Sequence, residues 1–144
     1  MTSPLARFHS LVLLAAASAL AVTAAQAQDS WNYKSYIKDP ASGTYDKTKF
    51  RTSTIVLKDE KDGKGMFRMI TSASRPDPCI SAGDLPAEVE RSAETLTITV
   101  TPPLHGCEPF RYVIKLDGSG GVRMARRNDQ WVPDGFDHDL TPKK

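Results

Sequence analysis

Few side chains in this chain are of types that do chemistry, and their spacing narrows what they can do. Cys79 and Cys107 form no Cys-x-x-Cys pair, and no histidines stand at metal-ligand spacing from them. They therefore read as a structural disulfide rather than a redox pair or zinc site, which also removes the candidate thiol nucleophiles. His138 lies in Asp134-Gly135-Phe136-Asp137-His138-Asp139, whose carboxylates would hold a divalent cation if they converged, the basis for a metal-assisted enzyme. The run lacks the alternating ligands, central glycine and distant glutamate of a calcium loop, and a solvated acidic tail is expected. Ser119 in Gly118-Ser119-Gly120 falls in a hairpin turn rather than a strand-to-helix elbow, unlike a hydrolase nucleophile. The chain also lacks a phosphate-cradling loop and a His-Glu-x-x-His motif, and sequence places no carboxylate pair at glycosidase separation. A non-enzymatic protein without cofactor or metal is the expectation.

Residue types suited to recognition are better represented. The two cysteines sit in proline-rich loops, Arg75-Pro76-Asp77-Pro78-Cys79 and Pro102-Pro103-Leu104-His105-Gly106-Cys107-Glu108-Pro109. A bridge between them would fasten two stiff loops together, and stiff loops lose little entropy on binding. Leu104 and His105 are then the apical residues of a binding surface, with Arg75, Asp77 and Glu108 at its rim. The plainer reading is that the prolines and the bridge only close one end of the fold. Arg111, Lys115, Arg123, Arg126 and Arg127 are expected to share the outward face of one hairpin, with Arg111 and Arg123 as binding residues for an anionic envelope component. A solvated stripe that guards against edge aggregation is the competing reading.

Strands must position these loops and stripes. From Thr95 to Thr101, Leu96, Ile98 and Val100 alternate with threonines, the period-two pattern of a strand with one wet side. Phe110 to Leu116 repeats the pattern, and Asp117-Gly118-Ser119-Gly120-Gly121 turns it into a strand over Val122 to Arg126. Like charges directly opposed across a hairpin cost stability, so the expected register pairs Ile114 with Val122 and Tyr112 with Met124. Thr52 to Leu57 and Met66 to Thr71 flank a charged turn rich in Asp and Gly, a second hairpin. Trp31 to Ile37 reads as the first strand and Gln130 to Val132 as a short last one. Pro86 to Arg91 is a short helix or, preferably, a strand feeding Ser92-Ala93-Glu94 and the threonine strand. About six to eight short strands with turn signals between them define an all-β fold, a small antiparallel β-barrel or sandwich with one disulfide.

The N-terminus shows where the domain begins. A basic region ending at Arg7, an apolar and small-residue run from Leu11 to Ala25, and Ala25-Gln26-Ala27 have the layout of a secretory signal peptide. The run of about 15 residues is shorter than the roughly 20 that span a bilayer, so residues 1–27 are expected to be removed rather than retained as an anchor. Residues 28–144 are then one soluble domain, not membrane-spanning, with an irregular tail from about Pro133. The chain carries 19 Lys and Arg against 17 Asp and Glu, a balance that argues against nucleic acid.

These features point first to a periplasmic or secreted binding protein recognising another macromolecule, for example an inhibitor or protective partner of an exported enzyme. Its partner would be an exported or envelope protein. A second reading is a barrel carrying a small apolar ligand, with Trp31, Tyr33, Phe67, Met69, Tyr112 and Met124 as lining residues. Trp31 entering the first strand resembles the Gly-x-Trp opening of lipocalin-like barrels, with Asp29 in the glycine's place.

Overall fold

Strict alternation becomes strand wherever it occurs. The computed structural model describes residues 29–144, so the leader read from residues 1–27 lies outside the described residues. The strands are β1 (Asp29–Lys38), β2 (Tyr45–Lys61), β3 (Lys64–Thr71), β4 (Leu85–Arg91), β5 (Thr95–Val100), β6 (Phe110–Lys115), β7 (Gly121–Arg127), β8 (Gln130–Pro133) and β9 (His138–Pro142). Along β5, Leu96, Ile98 and Val100 are fully buried while the intervening threonines are half-buried. Each such side chain contributes about 1.5–3 kcal/mol through burial. The ambiguous segment after Asp84 is strand β4, with Leu85, Ala87 and Val89 inward.

All nine strands form one antiparallel sheet, ordered β8-β7-β6-β5-β4-β3-β2-β1-β9. Strands one to eight follow as a meander, and the last pairs back onto the first, from Trp31 opposite Pro142 to Ser35 opposite His138. The tail expected to be irregular from about Pro133 thus supplies β9, because β1 would otherwise present an unpaired edge. The sheet curls until Leu140 of β9 meets Gly121 of β7, but strand pairing does not join these two among the described residues. A Cβ at Gly121 would lie 2.7 Å from Leu140 Cδ2 and 2.7 Å from the Val113 carbonyl oxygen, so only glycine admits this approach. The result is a barrel-like sheet with one side-chain-packed seam.

The β2–β3 hairpin turns on Asp62 (φ 52°) and Gly63 (φ 74°), the Asp-Gly pair that suits a tight hairpin. Asp59 (φ 55°) lies where the β2–β3 register shifts, and the irregularity absorbs the charged segment expected to be open turn.

The β6–β7 register differs from the expected one. Ile114 pairs with Gly121, Val113 with Val122 and Tyr112 with Arg123. A one-residue slip exchanges the faces of a strand. Val122 and Met124 therefore face outward, and Arg123 faces the interior rather than the outer stripe.

The core gathers Trp31, Tyr33, Ile55, Leu57, Phe67 and Tyr112 with the inward residues of β4 to β6. Phe67 stacks on Tyr112 at 5.8 Å between centroids and meets Phe110 edge-on at 5.4 Å. Among the described residues, no helix is long and apolar enough to cross a membrane.

Candidate functional site: a clamped loop end and a buried polar cluster

Two places concentrate functional residue types. The first is the end of the sheet where the β3–β4 and β5–β6 connections emerge. Cys79 and Cys107 form the expected disulfide, with their Cα atoms 5.5 Å apart. Asp77 shapes the first loop: its carboxylate accepts from the Cys79 amide at 2.9 Å, and its carbonyl accepts from Ile80 and Ser81. Ile80 and Pro102 are buried and Cys79 packs against the core, so both loops are rooted in it. Above them Arg75, Asp77, His105 and Glu108 are exposed, as is Leu104 at 45%. The bridge places the loop residues picked out from the sequence at the same end.

The arginines of the expected stripe scatter. Arg111 is half-buried on the outer face, donating through Nε to Thr99 Oγ1 at 2.8 Å, with its guanidinium 4.3 Å from the Trp131 ring. Arg126 pairs with Asp129. Arg123 lies inside, 5.6 Å from the Phe110 ring centroid.

The second place is that interior. β1 brings Tyr33, β6 brings Tyr112 and β7 brings Arg123, while the β8–β9 connection and β9 return Asp134 and His138. His138 and Asp134 have side chains only 6% and 8% exposed, so the acidic run is not the solvated tail expected of it. Both Asp134 oxygens lie 3.1 Å from His138 Nε2. A carboxylate can only accept, so Nε2 carries a proton, and in the neutral ring Nδ1 accepts from the Tyr33 hydroxyl at 2.7 Å. Asp137 and Asp139 turn elsewhere, to Lys47 and to the Tyr36 hydroxyl. Because each carboxylate has its own partner, the run does not converge on a cation. Among the described residues, no group of His, Cys, Asp and Glu is arranged to hold a metal.

Tyr33, His138 and Asp134 follow one another in the order of nucleophile, base and orienting carboxylate. Their electrostatics run against that use. Burial pushes the Tyr33 phenol up to about 12, partly opposed by Arg123, and burial also holds Tyr112 well above its ordinary value. An activated nucleophile needs the opposite shift. The line of hydrogen bonds instead pins β9 to β1 across the sheet. Along the seam, a groove of about 410 Å³ reaches His138 past Val122 and Leu140.

Of the proposed ligand-lining residues, Trp31, Tyr33, Phe67 and Tyr112 fill the core, Met69 packs on it and Met124 faces outward. Sequence reading missed Tyr33 and Tyr112 as polar groups, because tyrosine at an alternating strand position reads as core. Compared with protein families, characterised proteins and solved structures, the chain has no match.

Proposed function

We propose that this is an exported, non-enzymatic binding protein that recognises another macromolecule, an exported or envelope protein, through its disulfide-clamped loops. One observation carries the reading. The Cys79–Cys107 bridge joins two proline-stiffened loops at one end and leaves Leu104, an apolar side chain, 45% exposed above them. Apolar anchors on rigid loops bind at low ordering cost. The disulfide favours an oxidising, exported location. The filled core supports surface recognition over carriage of an apolar ligand inside, since a ligand there would have to displace packed aromatic rings.

The test is the double substitution L104A/H105A. Both residues are exposed, so stability should stay within about 0.5 kcal/mol of wild type. A partner that stays with the wild-type protein on gentle purification from the envelope of its host, identified by native mass spectrometry, should be lost from the variant. Retention of that partner by the stably folded variant would refute the loop surface.

A further inference from the structure

We propose that the outer face of β6, β7 and β8 docks a segment of another protein that presents apolar side chains flanked by carboxylates. The surface is separate from the clamped loops and does not depend on the function proposed for them.

β7 shows its apolar side chains to the outside. Its register with β6 sends Gly121, Arg123 and Ala125 inward and Val122 and Met124 outward. Val122 is 36% exposed. The flanking strands extend the same outer face, since Val113 pairs with Val122 and Pro133 with Met124. Trp131 pairs with Arg126 and carries the Arg111 guanidinium 4.3 Å from its ring centroid. The adjoining β5 turns Thr95, Thr97 and Thr99 to this side, and β4 turns Glu88 and Glu90. A sheet face left to water carries such polar residues. Trp, Met and Arg are instead the types that protein interfaces concentrate.

The seam gives this face an anchor point. Its groove of about 410 Å³ is lined by Val113, Val122, Leu140 and Lys115, among others. An apolar side chain entering it would cover Val122 and meet Leu140. Anchors seated in pockets in this way carry most of the energy of an interface.

Charge selects the partner. Arg111 and Lys115 make no ion pair among the described residues, and Arg126 pairs only with Asp129, whose side chain is 93% exposed. The carboxylates nearby are engaged or set apart. Asp117 feels the Lys115 charge but accepts from the Ser119 amide, and Asp139, on the groove, accepts from the Tyr36 hydroxyl. Glu88 and Glu90 lie beyond the row of threonines. The uncompensated charge of the face is therefore positive. A second copy docked through the same face would set Arg111, Lys115 and Arg126 against one another, so a partner that supplies carboxylates fits better.

The experiment titrates short synthetic peptides of equal length into isotope-labelled protein and follows the backbone amides by two-dimensional NMR. One peptide alternates leucine and glutamate, one leucine and lysine, and one serine and glutamate. The leucine–glutamate peptide should shift the amides of Val113, Val122, Met124 and Trp131 and bind about tenfold or more tightly than the other two. In V122T/M124T both substitutions face outward on a strand, so the melting point should stay near wild type while affinity for that peptide falls about tenfold. Absence of binding, equal affinity for all peptides, shifts confined to the clamped loops, or unchanged affinity in the folded variant would each overturn the proposal. So would a wild-type dimer in sedimentation equilibrium that V122T/M124T dissolves, because the face would then belong to a second copy.

Discussion

The Tyr33 phenol ties stability to pH in a direction that follows from its surroundings. Its ordinary value of 10.0 rises to about 12 in the folded protein, chiefly through burial. A shift of roughly two units corresponds to about 2.7 kcal/mol. Because the folded value lies above the unfolded one, this contribution is fully present below about pH 10 and is lost as pH rises through about 12. Tyr112, also raised by burial, adds in the same direction.

Urea midpoints at steps from about pH 9 to 12, with tyrosinate absorbance recorded in parallel, would measure this for wild type and Y33F. Wild type should lose about 3 kcal/mol more than Y33F across that range, since lysine and the remaining tyrosines titrate in both. At neutral pH the variant should already be weaker by about 1–3 kcal/mol, because His138 Nδ1 loses the donor 2.7 Å away. Equal alkaline slopes in the two proteins, with tyrosinate appearing near the ordinary value in folded wild type, would refute the buried-phenol argument.

Two further predictions concern the clamp and the seam. The disulfide closes a loop with a sequence separation of 28, for which chain entropy gives about 3.6 kcal/mol. C79S/C107S should therefore melt roughly 10–20 °C lower in a calorimetric scan; a drop of only a few degrees would mean the loops are held by their core contacts alone. G121A places a methyl group 2.7 Å from Leu140 Cδ2 and should cost about 1–3 kcal/mol. Amide exchange should accelerate first in β9, and unchanged protection there would show that the seam is looser than the packing implies.

Much of the fold was legible along the chain because it depends on neighbours in sequence. Leu96, Ile98 and Val100 with their threonines specify a half-buried strand, Asp62-Gly63 specifies a tight turn, and two cysteines without metal-ligand spacing specify a bridge. The clamped loop residues of the candidate site were legible for the same reason, since Arg75, Asp77, Leu104, His105 and Glu108 lie within a few residues of the cysteines.

What only the tertiary structure decided depends on partners far along the chain. The β6–β7 register turns on one residue, and matching the apolar faces of the two strands, which puts Val122 and Met124 inward, favours the wrong choice. Gly121 settles it, because Leu140 must pack where a side chain would otherwise stand. That one-residue difference turns Arg123 from a surface cation into an interior one. β9 forms only because β1, more than a hundred residues earlier in the chain, offers it an edge, with Tyr33 and His138 meeting at a separation of 105. An acidic, proline-flanked tail carries no signal of such a partner, so its local composition reads as solvated. The sequence determined strands, turns and the bridge through local periodicity and covalent chemistry; the curl of the sheet and the return of β9 to β1 determined which charges are buried and whom they meet.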